Sequence, residues 1–415
     1  MYIERQLSAE IKPFLAKRET ISIVGSRQAG KTTFIENLAQ EFKQRNKKVK
    51  FITFEKREDL NLFNNDIESF KKIAEQYDVV IIDEFQYSQE GGQKLKYLYD
   101  TTKVKFIISG SSSLELTFQT GKYMVGRLHE FLLTPFSFRE FLSARDQEIS
   151  DVLKDKINNN PFVFKMKNGF GEEINNRLAK LFEEYIIYGG YPAVVLSNTT
   201  EEKQKILEGI YSKYLLKDIK DLLRLATDQE LEKLVKLLSG QISNIIQYRE
   251  LADCSGLPYK ELKKHLSILE KTFIISLVRP FFTNKRTELV KNPKVYFNDS
   301  GLRNFSLDDF RSLDVRNDAG AMAENHGYNL LAGIFKRNVK YWRTKARAEV
   351  DFVIEKEQAI YPVEIKYVSK RVIGKSLYSF IEKFNPPAAF ILTKNYLGEE
   401  KIRGTKIKFI PIAYF

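Results

Sequence analysis

The chain has 415 residues, 43% of them hydrophobic and 29% charged, with a formal net charge of +13. It is too long for one typical domain, so roughly two to four are expected, and its basic balance favours an anionic partner such as nucleic acid or nucleotide. The single cysteine, Cys254, excludes an intrachain disulfide, and the scattered His129, His265 and His326 argue against a zinc site.

The N-terminus, Met1 to Leu7, lacks the apolar stretch and cleavage site of a secretory signal. No run approaches the ~18 apolar residues of a membrane helix. A cytoplasmic protein without a membrane segment is expected, with Cys254 a packed structural thiol.

In chain order, Ile21 to Val24 is a short apolar run that ends in a glycine loop. A helix follows from Thr32 to Phe42, with Phe34, Leu38 and Phe42 on one face. Val49 to Phe54, Val79 to Ile82, Phe106 to Ile108 and Phe131 to Leu133 are strand patterns. Their alternation with helices predicts a parallel α/β sheet. Residues 146–177 are polar and read as a variable insert or lid. Residues 176–225 read as helical, broken at Gly189-Gly190-Tyr191-Pro192. Leu231, Leu234, Val235 and Leu238 then fall at helical spacing. A helix from Tyr248 to Cys254, a turn at Ser255 to Pro258 and a helix from Tyr259 to Leu269 precede strand patterns at Phe273 to Val278 and Lys294 to Phe297. That order resembles a winged helix-turn-helix. Lys260, Lys263 and Lys264 are placed to face outward, and Lys285 and Arg286 lie in the expected wing. There they would contact DNA phosphates without reading sequence.

Gly25-Ser26-Arg27-Gln28-Ala29-Gly30-Lys31-Thr32, with Thr33 following, fits the phosphate-loop pattern between a strand and a helix. Glycines let the backbone wrap phosphates, Lys31 reaches the β- and γ-phosphates, Thr32 coordinates Mg²⁺, and the helix N-terminus favours anions. ATP with Mg²⁺ is the expected ligand. Asp83 and Glu84 end an apolar strand at the edge where ligands bind in such sheets. Asp83 would hold Mg²⁺ through water and Glu84 would polarise the attacking water. Ser109 and Ser111, after the next strand, are both placed to sense the γ-phosphate. Arg127, after Gly126, is a candidate finger, in its own site or a neighbouring subunit's within a homo-oligomer.

Together with Asp83-Glu84-Phe85-Gln86, Ser109 to Ser112, Gly126-Arg127 and Pro135 to Phe138, the loop resembles a prokaryotic AAA-type ATPase family. Its members carry a C-terminal half named only as a domain of unknown function. Gly189 to Pro192 and Tyr214 to Ile219 resemble the opening of that half. The resemblance implies ATP hydrolysis but not what the hydrolysis drives.

Near the C-terminus, Glu349 to Ile354 and Pro362 to Lys366 are strand patterns across a short polar loop. Glu364 and Lys366 are two apart and so share a face. A hairpin would bring Asp351 near Glu364, with Glu324 on an upstream helix. Carboxylates with a lysine can hold Mg²⁺ and activate water against a phosphodiester. The pattern resembles the restriction-endonuclease-like superfamily. That resemblance implies Glu324, Asp351 and Glu364 as metal ligands and Lys366 as the residue that positions the nucleophile.

The expected domains are a phosphate-loop core at 1–145, a helical lid and insert at 146–225, a winged helix-turn-helix at 226–305 and a nuclease-like α/β domain at 306–415. Three functions stay open: a DNA-coupled ATPase, a nucleotide-dependent switch or scaffold for a protein partner, and an ATP-regulated metal-dependent nuclease.

Overall fold

The computed structural model describes residues 2–110, 122–219 and 229–415. The chain divides into two units. One runs to Phe136 and takes in Lys271–Ile274; the other holds Ser137–Glu270 and Ile275–Phe415.

The first unit is built on five parallel strands: β1 (Thr20–Val24), β2 (Val49–Thr53), β3 (Val79–Asp83), β4 (Lys105–Gly110) and β5 (Leu128–Leu132), in the order β2-β3-β4-β1-β5. Alternation along β3 sends Val79 and Ile81 to one face and Val80 and Ile82 to the other. Both faces are covered. One packs on Phe34, Leu38 and Phe42 of the Lys31–Gln44 helix, the other on Phe54, Phe63, Phe85 and Leu95. The inner strands β1, β3 and β4 are therefore largely apolar and buried, whereas the edge strands β2 and β5 are partly exposed and carry Lys50, His129 and Glu130.

In the second unit the polar stretch expected as an insert carries a helix, Gln147–Lys156. Asp146 caps its N-terminus and Ile149 and Leu153 anchor it, which is too few apolar positions to stand out by periodicity. The Glu172–Tyr188 helix ends at Gly189, whose φ of 79° lies in the left-handed region. The glycine pair there is explained by packing. Buried Asp299 accepts the Gly190 N–H at 2.7 Å, and a Cβ on Gly189 would lie 2.3 Å from the same carboxylate.

Helices Tyr248–Ser255 and Tyr259–Lys271 are followed by an antiparallel pair, β6 (Ile275–Val278) and β7 (Lys294–Phe297), with Ile275 opposite Phe297. The segment expected as a wing forms a short helix, Lys285–Val290. Leu262, Leu266 and Leu269 are buried. Cys254, expected to be packed, is exposed, because it lies on the outer face of its helix.

The C-terminal part is a six-stranded mixed sheet of β8 (Val339–Arg343), β9 (Glu349–Lys356), β10 (Ala359–Lys366), β11 (Ala388–Thr393), β12 (Gly398–Ile402) and β13 (Thr405–Pro411), in the order β12-β13-β11-β10-β9-β8. The Lys375–Phe384 helix buries Leu377, Phe380 and Ile381 against it. The Ala319–Phe335 helix carries Glu324. Among the described residues no helix is long and apolar enough to cross a membrane.

Candidate active site

Strand order builds the first site. β4 lies between β1 and β3, with Ile23 opposite Ser109 and Ile82 opposite Ile108. The phosphate loop after β1, Ser109 at the end of β4 and Asp83 at the end of β3 therefore meet at one sheet edge.

Asp83 is the hub. Its Oδ2 accepts the Thr32 hydroxyl at 2.7 Å, and its Oδ1 accepts the Glu84 N–H at 3.0 Å and the Ser109 hydroxyl. Ser109 and Asp83 are buried, whereas Thr32 and Thr33 are exposed at the mouth. Ser111, the other γ-phosphate candidate, lies outside the described residues.

Lys31 is buried inside its own loop and donates to the Gly25 carbonyl at 3.1 Å and the Ser26 carbonyl at 2.9 Å. Burial lowers its ammonium to about 8, although Glu84 and Asp83 draw it back up. The loop needs special backbone: Gly30 at φ 91° and Gln28 at φ 62° are both left-handed. Gly25 is required for a different reason, since a Cβ there would lie 2.0 Å from the Leu133 carbonyl oxygen. Ala29 is fully buried, Arg27 partly so.

Glu84 is left-handed at φ 53° and half-buried. Burial pushes its carboxyl up, and the Gln86 amide, which donates to it, and Lys31 pull it back.

Arg5 is a site residue that sequence reasoning missed. Its guanidinium donates to the Ala29 carbonyl at 3.0 Å and the Thr134 carbonyl at 2.5 Å and lies over the Phe136 ring. It clamps the loop from outside. No local signal in the Met1 to Leu7 segment points to it.

Arg127 is not brought to this site. Its carbonyl accepts the Thr20 N–H at 2.8 Å, at the opposite edge of the sheet from the loop. Its side chain pairs with Asp100 at 2.9 Å. A finger role at its own loop is geometrically closed, because the length of β1 intervenes.

The C-terminal residues form a second cluster. The β9–β10 register sets Val363 opposite Phe352, and Asp351 accepts the Ile365 N–H at 2.8 Å. Lys366 reaches Glu364 at 3.2 Å. Burial raises the Glu364 carboxyl to about 7, with Lys366 opposing and Asp351 adding to the rise. Glu324 is held by residues that sequence reasoning missed. Lys294 reaches it at 3.0 Å and the Tyr296 hydroxyl donates to it at 2.7 Å, while Lys294 also meets Glu349 at 2.6 Å. The signal was present in β7, where Lys294 and Tyr296 are two apart and so share a face. Among the described residues no three His, Cys, Asp or Glu groups converge to hold a metal ion. The expected metal set of Glu324, Asp351 and Glu364 is thus not assembled, because Glu324 is turned onto Lys294.

The parallel sheet with its loop, strand-end acids and intervening serine defines a P-loop NTPase fold. Residues 17–142 match the AAA domain family model, residues 179–313 a domain of unknown function (DUF8612) and residues 319–415 another (DUF4143). The chain therefore carries an AAA domain and ends in a DUF4143 domain.

It is 23% identical over 359 residues to an uncharacterized protein of Haemophilus influenzae, covering 83% of this chain and 82% of that protein. An uncharacterized protein of Mycobacterium tuberculosis is 22% identical over 385 residues, covering 91% and 77%. Among solved structures it is similar to a replication initiator DnaA bound to AMPPCP and single-stranded DNA, at 13% identity and TM-score 0.32, covering 65% of this chain and 90% of that one. It is also similar to the Aeropyrum pernix ORC1 protein in complex with DNA, at 12% identity and TM-score 0.30, covering 74% and 93%.

Proposed function

We propose that the chain binds ATP with Mg²⁺, hydrolyses it, and couples the cycle to DNA. The carrying observation is the hub at Asp83, which joins the loop threonine Thr32, the serine Ser109 and the adjoining acid Glu84 in one hydrogen-bonded group. Backbone N–H groups from Gly25 to Thr32, with Ser26, Arg27, Gln28 and Ala29 between the glycines, wrap the phosphates. Lys31 exchanges its two carbonyl partners for phosphate oxygens. Thr32 and Asp83 are the residues that would hold Mg²⁺, which supplies charge neutralisation to the phosphates. Glu84 orients the attacking water once it leaves Gln86, and Ser109 stands beside the transferred group.

The test is Mg·ATP binding and turnover by the full chain. Lys31→Ala should lose both, whereas Glu84→Gln should bind and fail to turn over. Retained binding in Lys31→Ala would sink the reading.

The DNA part rests on the net charge of +13 and on exposed Lys260, Lys263 and Lys264. Against it, Lys263 lies over the rings of Tyr259 and Tyr248, at 4.6 and 5.6 Å, and Lys264 pairs with Glu261 at 3.7 Å. Both lysines nonetheless stay exposed and such surface contacts are weak; the second reading is a nucleotide-dependent switch for a protein partner. Stimulation of turnover by single-stranded or duplex DNA supports coupling, and its absence selects the switch. A trans role for Arg127 in a homo-oligomer predicts that Arg127→Ala lowers turnover without weakening Mg·ATP binding.

A further inference from the structure

The nuclease-like pattern calls for a divalent ion among Glu324, Asp351 and Glu364, and the structure disagrees. Glu324 and Asp351 each accept a hydrogen bond from the chain, and Glu364 pairs with Lys366 although its buried Oε2 accepts no hydrogen bond. Lys294, on β7, is 1% exposed and reaches Glu324 at 3.0 Å and Glu349 at 2.6 Å. Tyr296 donates to the same Glu324 oxygen at 2.7 Å. The other Glu349 oxygen takes Arg343 at 3.1 Å. Asp351 accepts the Ile365 N–H at 2.8 Å, and Glu364 takes Lys366 at 3.2 Å. A hard divalent ion needs several of these oxygens within about 2.0–2.6 Å of one point. An ion that took Glu324 together with Asp351 and Glu364 would have to draw Glu324 off the Lys294 ammonium and leave that buried charge short of a partner, which is strongly unfavourable.

We infer that Lys294 is the resident cation of this cluster, taking the place a catalytic metal would hold. An ammonium is a compact charge with several donors, so it can bridge Glu324 and Glu349 as an ion would. It cannot lower the pKa of a bound water, so the cluster cannot make a metal hydroxide. It fastens β7 to the Ala319–Phe335 helix and to β9, and the cluster then has no metal-dependent cleavage of a phosphodiester. This inference does not depend on the ATPase reading.

The experiment counts Mn²⁺ bound to nucleotide-free, full-length protein by loss of the free-ion electron paramagnetic resonance signal. It compares wild type, Asp351→Asn, Lys294→Met and the Lys294→Met/Asp351→Asn double variant. Wild type and Asp351→Asn should bind equally, which discounts any ion at the phosphate loop. Lys294→Met should gain one ion per chain, and the double variant should lose it. Asp351-dependent Mn²⁺ in wild type would overturn the inference, as would a folded Lys294→Met that gains none. If Lys294→Met lacks the wild-type circular dichroism, Lys294→Gln/Glu349→Gln replaces it with the same readings. In the same samples wild type should leave linear duplex DNA intact with Mn²⁺, and Asp351-dependent cleavage would also overturn it. ATP turnover of the same preparation is read separately, so failure of one reading leaves the other standing.

Discussion

Arg5 and His326 show what single buried polar groups do here. Arg5 is 4% exposed and holds Ala29 and Thr134 by charge-assisted bonds. Arg5→Ala orphans both carbonyls and should cost roughly 2–4 kcal/mol. It should also weaken Mg·ATP binding, because Ala29 lies inside the phosphate loop. Urea denaturation and calorimetric titration check both effects, and a stable variant with wild-type affinity would count against the clamp. His326 sits edge-on to Phe138, Phe182 and Tyr185, and its Nε2 has no hydrogen-bond partner. Burial lowers its imidazole to about 3, against about 6.5 when unfolded. The folded pKa is depressed, so its contribution is fully present above about 6.5 and is lost as pH falls towards 3. His326→Phe removes that loss. Relative to wild type the variant should gain about 2 kcal/mol between neutral pH and about pH 5. A gap independent of pH, measured by urea unfolding, would refute this.

Between elements, close approach is set by glycine. The Ser300–Ser306 helix meets the end of the Glu172–Tyr188 helix at Gly301, where a Cβ would lie 1.9 Å from the Tyr188 carbonyl oxygen. The clash is with backbone, so Gly301→Ala should destabilise by roughly 1–3 kcal/mol. Gly333, inside the Ala319–Phe335 helix, faces open space. A Cβ there would meet nothing within 4 Å, so Gly333→Ala should be neutral or stabilising by up to about 1 kcal/mol. Equal midpoints for the two variants in urea would contradict the packing account. The sheet is also an element-scale matter. That β4 runs between β1 and β3 is what lets Ser109 reach Asp83, and no property of either residue announces that order.

The division into two units sets an expectation for the whole molecule. The residues proposed to hold nucleotide, Gly25 to Thr32, Asp83, Glu84 and Ser109, lie in the unit that runs to Phe136. Heating should therefore give two transitions, and saturating Mg·ATP should move one. At a hundredfold excess over Kd the gain is about 2.7 kcal/mol in that unit. Scanning calorimetry with Lys31→Ala as control checks it. One transition that moves as a whole would show that the units unfold together. Much of this architecture was legible in advance. Apolar runs marked β1, β3 and β4 because these inner strands are buried on both faces, with Ser22 the one polar residue inside the β1 run. The polar stretch from 146 was harder, since the Gln147–Lys156 helix rests on Ile149 and Leu153 with little else to mark it.

Sequence by itself determined the phosphate loop from Gly25 to Thr32 and the strand-end pair Asp83 and Glu84, because that chemistry needs fixed residue types at fixed spacing. It also marked Glu364 and Lys366 as a pair, through the two-residue period of a strand, with Asp351 joined to them only on the expectation of a hairpin. Tertiary structure alone decided the rest. It chose Ser109 as the partner of Asp83 and brought in Arg5 from outside the loop. It set Arg127 at the far edge of the sheet and drew Lys294 from β7 onto Glu324. Each of those outcomes joins residues from separate elements, and only the packing of those elements brings them within reach.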